Sequence, residues 1–339
     1  MNIVYLIGNG FDRNLGLKTS YQDFYRFYKT QVSNHENVQK VKEMISSQQS
    51  DLWSDLEIAL GQISKEFNNT DAFIDVLKDI SDNLRKYVKA EANSLTIKSG
   101  AKEKLIGYLC SPFENLTTEV KRSVEEHFTS QSREQWNVNI ITFNYTYILE
   151  QILQDVVGSK IGTHHNGYNV NLNNILHIHG DCNTSIIVGV NDVSQIANET
   201  FKTDDDVLDW LVKTKAQECR SDGIERRCKN IISDANLICI FGMSFGETDK
   251  LWWDSIRNRL NANTNTRVVI YEYKEGVSFL DNRMQDRGRY RRQAKSKLLS
   301  KSDDRLSNTV LCDINTDMFN LKECVEKQQP LYDVKIASL

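Results

Sequence analysis

The chain begins with an apolar run at residues 2–7, which stops at the tripeptide Gly-Asn-Gly. Similar runs lie at residues 138–143 and 237–241, and polar or glycine residues follow each of them. Apolar runs without alternation are typical of strands that a parallel sheet buries on both faces. Because segments of helical period separate these runs, we predict an α/β fold whose parallel sheet is covered by helices on both sides.

Shorter runs complete the predicted sheet, and helical periods lie between them. Thr19 and Gln22 have the spacing of a capping box at the start of the first long helix. Helices are also predicted at residues 147–156, 206–232 and 248–260. Further strands are predicted at residues 175–179, 186–190, 267–273 and 309–314.

The long segment between the first two strands has a helical period throughout. Apolar side chains recur there at steps of three and four residues, as at Leu56 and Leu60. A crossover of this length is far outside the usual range for parallel strands. We therefore predict a helical insertion at residues 31–133, and one α/β domain formed by residues 1–30 and 134–339.

Composition limits the classes of protein to which the chain can belong. Of its 339 residues, 40% are apolar and 26% are charged, which is a globular balance. No run approaches the ~18–20 apolar residues of a membrane span. The N-terminus lacks the basic flank and cleavage site of a signal peptide, so we expect a soluble, cytoplasmic protein. Seven cysteines are scattered without a CxxC pair and are expected to be reduced thiols.

The net charge of the chain is −4, and it therefore does not indicate a nucleic-acid partner. Residues 283–301 are the local exception, since arginines and lysines are concentrated there. A solvent-exposed helix face is the simpler explanation of this basic stretch, and a phosphate-rich or acidic partner is the alternative.

Four loops follow apolar runs at their carboxyl ends, where open parallel sheets bind ligands. In the first loop, Gly8 and Gly10 would let a diphosphate approach the backbone amides closely. A tight strand-to-helix turn explains the same glycines. In the second loop, Asn144 can both donate to and accept from a ribose hydroxyl or a water. A helix cap explains an asparagine at this place equally well.

The third loop carries His177 and His179, which strand alternation would place on one face of the sheet. His179 is the candidate general base, because a neutral imidazole is available near pH 7. His177 lies nearer the core, and its expected role is structural. A zinc pair is the remaining alternative, but it lacks evident partner ligands. The fourth loop, at residues 241–249, is a second glycine-rich turn that opens a helix.

The motifs in these loops resemble a known family. The segments GNGFDRNLGLKTSY, LWSDLE, TFNYTYILE, LHIHG and FGMSFGETD are similar, in this order, to the bacteriophage abortive-infection AbiH family. The resemblance spans most of the chain and implies a role in antiphage defence. The AbiH family in turn resembles the sirtuin-like NAD-binding fold, which implies a Rossmann-like parallel sheet in the α/β domain.

In sirtuins, a Gly-Ala-Gly loop, a Thr-x-Asn-x-Asp loop, a His-Gly segment and a Gly-x-Ser loop surround NAD. Carried over by position, the resemblance implies that Asn144 holds the nicotinamide ribose and that His179 is the catalytic histidine. It also implies a set of cofactor-binding residues in these loops, namely Gly8, Asn9, Gly10, Phe11, Thr142, Gly242, Ser244 and Asp249.

Three departures separate the chain from the sirtuin pattern. Asp12 stands in a loop where sirtuins have small neutral residues, and its carboxylate would repel a diphosphate. Thr146 replaces the aspartate of Thr-x-Asn-x-Asp, which alters the expected recognition of nicotinamide. Because no CxxC pairs are present, the zinc module of protein deacetylases is not expected, nor is protein deacetylation.

Acidic residues of the AbiH-like motifs are the other candidates for catalysis. Glu57 is spaced from Trp53 so that both side chains lie on one helix face. Asp12 and Glu57 are predicted either as paired carboxylates for acid–base chemistry or as part of a magnesium site. For Glu57, an ion pair with a lysine is the structural alternative.

We expect an effector that hydrolyses NAD at the nicotinamide glycosidic bond, with His179, Asn144, Asp12 and Glu57 as catalytic residues. A magnesium-dependent nuclease or phosphohydrolase that uses Asp12, Glu57 and Asp249 is the main alternative. A sensor that binds a nucleotide without catalysis is another. Expected partners are the nucleotide, a second copy of the chain, and a phage-derived trigger or neighbouring defence protein. Neither a membrane nor a resident metal is expected.

Overall fold

The computed structural model of the chain describes residues 1–47, 55–128, 133–277, 284–299 and 301–330. Within these ranges the strands are β1 (Asn2–Ile7), β2 (Leu95–Ile97), β3 (Trp136–Thr142), β4 (Ser159–Thr163), β5 (Asn169–His177), β6 (Leu237–Phe241), β7 (Arg267–Glu272), β8 (Val310–Ile314) and β9 (Val325–Lys327). The α-helices are α1 (Gly10–Asn14), α2 (Tyr21–Tyr28), α3 (Glu36–Ser47), α4 (Leu56–Ile63), α5 (Thr70–Asn93), α6 (Ala101–Cys110), α7 (Thr118–His127), α8 (Ile148–Leu153), α9 (Asp205–Leu211), α10 (Lys213–Arg220), α11 (Ile224–Ser233), α12 (Lys250–Ala262) and α13 (Met284–Leu298).

Seven of the strands form one sheet in the order β4-β5-β3-β1-β6-β7-β8. Neighbouring strands are parallel except for β4 and β5, which are antiparallel. The predicted α/β fold with a largely parallel sheet is therefore confirmed. Strand β4 was not predicted, because this edge strand has mostly exposed side chains and no apolar run. The short strands β2 and β9 pair separately from the main sheet.

The central strand β1 is apolar because both of its faces are covered. Ile3, Tyr5 and Ile7 pack on one side of the sheet, together with α1, α6, α7 and α8. Val4 and Leu6 pack on the other side with α11, α12 and α13. All five side chains are fully buried. Burial on both faces is thus the physical reason for the continuous run from which the parallel sheet was predicted.

A second hydrophobic core lies beside the sheet. Only some helices of the segment that was predicted as one helical insertion belong to this core. Helices α3, α4 and α5 pack with α2 and α9, and the rings of Phe73 and Phe201 stack at 5.3 Å in this core. Helices α6 and α7 pack against the sheet instead. The described part of residues 31–133 is helical as predicted, apart from β2, but its helices contribute to two different cores.

Two local predictions are corrected. Residues 186–190 form no strand, since only isolated bridges at either end hold them. Residues 206–232 were predicted as one helix but contain three. The breaks occur because Val212 is extended, and because Ser221 and Gly223 adopt left-handed conformations.

The predicted capping box at α2 is also corrected. The cap is Ser20, whose Oγ accepts from the backbone N–H of Asp23 at 3.1 Å. Thr19 has a different partner, because its Oγ1 donates to Asn9 Oδ1 at 2.5 Å. The Thr19 side chain therefore orients Asn9 of the first loop and does not cap the helix.

Residues 284–298 of the basic stretch form α13, and several cations of this helix make ion pairs inside the fold. Arg291 Nη2 donates to Asp313 Oδ1 at 2.9 Å, and Asp313 is fully buried on β8. Lys297 Nζ pairs with Glu272 Oε1 of β7 at 2.7 Å. These ion pairs attach the helix to the sheet, and this favours the structural explanation of the basic stretch.

Two loops at the carboxyl edge of the sheet contact each other backbone to backbone. The amides of Gly8 and Gly10 donate to the carbonyls of Phe241 and Gly242, each at 2.9 Å. A Cβ at Gly10 would lie 2.4 Å from Gly242 Cα, and Gly242 itself has φ +68°. Only glycine fits both conditions. The glycines assigned to diphosphate binding therefore have a packing role that requires them independently of any ligand.

Gly10→Ala is expected to lower the free energy of unfolding by about 1–3 kcal/mol, the usual cost of overpacking. The added methyl group would overlap the backbone of Gly242. Gly107→Ala in α6 is the matched control, because no atom lies within 4 Å of the added Cβ. It should stabilise by about 0.5–1 kcal/mol, as alanine replaces glycine within a helix. Chemical denaturation measures both changes, and a neutral Gly10→Ala would contradict the tight loop contact.

Candidate functional site

The carboxyl ends of β1, β3 and β6 meet at one edge of the sheet, where a cavity of about 510 Å³ opens. Its position follows from the strand order, because β3 lies on one side of β1 and β6 on the other, which leaves a crevice above β1. Gly8, Asn144, His179 and Gly242 all line this cavity. The predicted convergence of the four loops is confirmed.

Two predicted site residues lie beneath the cavity rather than in it, and their expected ligand contacts are corrected. Phe11 is in the core, where its ring meets that of Phe319 edge-on at 5.8 Å. Thr142 is buried at the end of β3, and its Oγ1 accepts from the Asn144 amide at 3.1 Å. The other predicted residues line the cavity, namely Asn9, Gly10, Asp12, Glu57, Ser244 and Asp249.

The first loop does not present the expected row of amides to a ligand. Gly8 and Gly10 donate to the fourth loop, and the Phe11 amide donates to the Gly8 carbonyl at 2.9 Å. These three amides are engaged within the protein and do not form a diphosphate cradle. Arg13, which is exposed on α1, lines the cavity. Its guanidinium brings positive charge to the place where an anionic ligand would need it.

Asp12 is buried on α1 and contacts the second loop. Asn144 Nδ2 donates to Asp12 Oδ1 at 3.0 Å, and Thr146 Oγ1 donates to Asp12 Oδ2 at 2.8 Å. The hydroxyl of Thr146, which stands in place of the sirtuin aspartate, thus orients a carboxylate that comes from another loop. Burial raises the pKa of Asp12 to about 7, and the two hydrogen bonds offset burial only in part.

His179 is buried beyond the end of β5 and is oriented by a carboxylate. Its Nε2 lies 2.8 Å from Asp249 Oδ1. Nε2 therefore carries the proton of the neutral ring, and Nδ1 is an unprotonated acceptor. Burial and the charge of Lys213 lower the pKa of His179, and Asp249 counteracts them only in part. The ring is neutral at pH 7, which is the state that a general base requires.

His177 and His179 do not act as a pair. The strand ends at His177, so alternation does not extend to His179, and the expectation that both share one face is corrected. His177 Nε2 lies 2.7 Å from Glu150 Oε1, and its Nδ1 lies 2.9 Å from the Asn144 carbonyl oxygen. His177 does not line the cavity.

Lys213 completes the site and was not predicted from the sequence. Its Nζ donates to Glu57 Oε2 and to Asp249 Oδ1, each at 2.8 Å, although only 4% of the residue is exposed. Burial alone would lower the pKa of Lys213, but the two carboxylates outweigh burial and raise it. Nothing in the local sequence distinguishes Lys213 from Lys215, which is exposed on the same helix. Only the tertiary contacts identify it.

The predicted pairing of Asp12 with Glu57 does not form, because Glu57 bonds to Lys213 and Asp12 to the second loop. Burial and the charge of Asp249 raise the pKa of Glu57 above its usual range. The predicted alternative of a lysine partner is confirmed. Within the described ranges, no group of three or more histidine, cysteine, aspartate or glutamate residues is arranged to hold a metal ion. Trp53 lies outside the described residues.

Two buried polar atoms at the cavity, Asn144 Oδ1 and His179 Nδ1, have no hydrogen-bond partner in the part of the chain that the structure describes. Unpaired buried polar atoms are uncommon, and they mark places where a ligand or an ordered water completes the hydrogen bonding. Both atoms are acceptors. The site therefore favours a ligand that brings hydroxyl groups or a water molecule.

The segments that form this site belong to one known family. The family model of bacteriophage abortive infection AbiH matches residues 4–271. The chain belongs to this family. The resemblance inferred from the motifs is confirmed, and membership supports a role in phage abortive infection. All of the AbiH site residues described above, Lys213 included, lie within the match. No curated protein matches the chain.

Among the residues that the structure describes, no helix is both long enough and apolar enough to cross a membrane. A membrane-spanning helix is therefore not part of the described AbiH fold.

Lys213→Met is expected to lower the free energy of unfolding of this AbiH-family protein by about 3–5 kcal/mol. The buried carboxylate of Glu57 and the Asp249 carboxylate, whose side chain is 17% exposed, would lose their counter-charge. Lys215→Met is the matched control on the same helix, because Lys215 pairs with Glu218 on the surface and should contribute little. Urea denaturation at pH 7 measures both variants. Equal stability of Lys213→Met and wild type would contradict a structural role for these ion pairs.

Asp12→Asn is expected to gain stability over the wild type as the pH rises. The folded protein holds the Asp12 proton up to a pKa of about 7, whereas the ordinary value is 3.8. The free energy of unfolding of the wild type therefore falls as the pH rises between these two values, by at most about 1.4 kcal/mol per pH unit. Denaturation from pH 4 to pH 8 measures the difference between the two proteins. A difference that does not change with pH would show that Asp12 is not protonated preferentially in the fold.

Proposed function

We propose that this AbiH-family protein is an abortive-infection effector that binds a nucleotide in the cavity and hydrolyses NAD at the nicotinamide glycosidic bond. The pairing of His179 with Asp249 is the observation that carries the proposal. It leaves Nδ1 of a neutral imidazole as an acceptor without a partner among the described residues, on a residue that lines the same cavity as Asn144 and Asp12.

In this reaction the bond between C1′ of the ribose and the pyridinium nitrogen breaks, and the bonding pair leaves with neutral nicotinamide. A water molecule adds to the oxocarbenium-like C1′ and loses a proton. We assign His179 Nδ1 as the group that accepts this proton. Asp249 would keep Nε2 protonated and stabilise the imidazolium that forms, as a carboxylate does beside other catalytic histidines. The products are nicotinamide, ADP-ribose and a proton.

Asn144 and Asp12 would act on the ribose. Positive charge develops there in the transition state, and a nearby ionised carboxylate stabilises it. Because its pKa is about 7, Asp12 is only partly ionised near neutral pH. Activity should therefore rise as the pH passes through this value. Asn144 Oδ1, which lacks a protein partner in the described residues, can accept from a ribose hydroxyl or from the attacking water.

Lys213 and Glu57 would act indirectly, through their effects on His179 and Asp249. The Lys213 ammonium lowers the pKa of His179 and keeps Asp249 ionised. Glu57 in turn holds Lys213 from the other side. In this proposal Glu57 is a positioning residue rather than one that touches the substrate.

The sheet order and the crevice above β1 are the features that support a Rossmann-like, sirtuin-like relationship in this proposal. The metal-dependent nuclease or phosphohydrolase has less support. Lys213 already forms ion pairs with Glu57 and Asp249, which are two of the three carboxylates that such an enzyme would need for its metal. Cations of α13 that nucleic acid would need form ion pairs within the fold.

NAD loss would stop the metabolism of an infected cell, in agreement with the role of the family in abortive infection. Such an effector would act in the cytoplasm and would need restraint before infection. Helices α3, α4 and α5 build a core apart from the sheet, and α4 also supplies Glu57 to the site. We assign contacts with a trigger, or with a second copy of the chain, to these helices.

His179→Ala is expected to lower the kcat of NAD hydrolysis by ~10²–10⁴-fold, as the loss of a general base typically does. Asn144→Ala is expected to abolish turnover as well, because it removes the contact to the ribose and to Asp12. His165→Ala is the control, since His165 is exposed and lies outside the cavity. Nicotinamide release by the purified proteins measures activity, and thermal unfolding verifies that each variant is folded.

The same assay separates the alternatives when it includes EDTA, and when nucleic acid replaces NAD. Full NAD hydrolysis by a folded His179→Ala, together with an inactive Asp12→Ala, would assign the chemistry to the carboxylates. Nucleic-acid cleavage that EDTA abolishes would do the same. NAD binding without release of nicotinamide would identify a sensor.

A further inference from the structure

His177 contacts the loop that carries Asn144, although it does not line the cavity. Its Nδ1 lies 2.9 Å from the backbone carbonyl oxygen of Asn144, and its Nε2 lies 2.7 Å from Glu150 Oε1 on α8. The side chain is 11% exposed, so solvent competes little for either contact. The ring therefore bridges α8 and the second loop of the candidate site.

Both neighbours of the His177 ring are hydrogen-bond acceptors. A carbonyl oxygen cannot donate, and neither can an ionised carboxylate. A neutral imidazole has one N–H group and satisfies only one of them, whereas an imidazolium satisfies both with charge-assisted bonds. Burial opposes the charge, but the hydrogen bond and charge of Glu150 outweigh burial and raise the pKa of His177.

The other charges that face this ring also favour its protonated form. Asp181, which follows β5, raises the pKa of His177, and Asp12 on α1 adds a negative charge once it ionises near pH 7. When the ring loses a proton, the Glu150 carboxylate retains the N–H on Nε2, because a charge-assisted bond is the stronger one. The Nδ1 lone pair would then face the Asn144 carbonyl oxygen, and these two acceptors repel each other.

We propose that His177, held as an imidazolium by Glu150, is a positioning residue that fixes the Asn144 loop where the Asn144 side chain meets Asp12 and the ligand. The expected effect on turnover rests on the proposed NAD hydrolysis. The contact itself does not, so the two are tested separately.

The first experiment compares the pH profile of NAD hydrolysis in the wild type and in Glu150→Gln. A glutamine side chain can donate to Nε2, so a neutral His177 keeps its N–H bond to Asn144 at high pH. Wild-type activity should fall as the pH rises through the pKa of His177. The expected fall is about tenfold or more, because that is the typical effect of losing a charge-assisted hydrogen bond. Glu150→Gln should lack this alkaline decline. An identical decline in both proteins would overturn the proposal.

The second experiment does not depend on turnover. In isotope-labelled protein, the His177 ring nitrogens are assigned by comparison with His177→Gln. The pKa of His177 should exceed its ordinary value of 6.5 in the wild type and fall below it in Glu150→Gln. The side-chain amide resonance of Asn144 should move with the same titration. A neutral ring at pH 6, or an Asn144 resonance that ignores the titration, would refute the proposal even if the protein hydrolyses no NAD.

His164→Gln is the matched structural control. His164 is also buried, and its Nε2 lies 2.9 Å from the Glu134 carbonyl oxygen, outside the cavity. Its loss should lower the melting temperature and leave the pH profile, KM and kcat unchanged. His177→Ala should instead lower kcat or raise KM. If His177→Ala loses only thermal stability, as the control does, His177 is merely structural and the proposal is wrong.

Discussion

The buried ammonium group of Lys213 is the interaction on which the rest of the site depends. It joins α10 to Glu57 of α4 and to Asp249 before α12, three segments that are far apart in the chain. Burying carboxylates without a counter-charge is strongly unfavourable, so these segments are stable in their observed positions only when the lysine lies between them. Burial and the same charge lower the pKa of His179, which links the stability of the site to its proposed chemistry.

The pKa values of two aspartates that line the cavity are shifted in opposite directions, because the surroundings of the two carboxylates differ. Asp249 contacts Lys213 and His179, which outweigh burial and hold its pKa well below the usual range. The Asp12 carboxylate accepts from the Asn144 amide and the Thr146 hydroxyl, which do not offset burial, so its pKa rises to about 7. Environments that separate the pKa values of neighbouring acids are typical of acid–base sites. The separation supports a site in which one carboxylate orients the base and the other responds to pH near neutrality.

The glycines of the first and fourth loops illustrate how one sequence feature can have two explanations. Gly8, Gly10 and Gly242 suggested a diphosphate site, yet close backbone packing already requires glycine there. This packing brings α1, and with it Asp12, to the ends of β3 and β6. The loops are therefore part of the site through the side chains that they position. Their amides are used to hold the two loops together.

Much of the fold and part of the site could be predicted from the sequence. Strands buried on both faces leave continuous apolar runs, so β1, β3 and β6 and the parallel sheet followed from local composition, and the convergence of Asn144 and His179 followed from topology. The exposed strand β4 left no such run. Only the tertiary structure identified Lys213 and the partners of Asp12, because an ion pair or a hydrogen bond between distant segments leaves no periodic pattern in the sequence. Burial, which decides the protonation of these groups, likewise exists only in the folded chain.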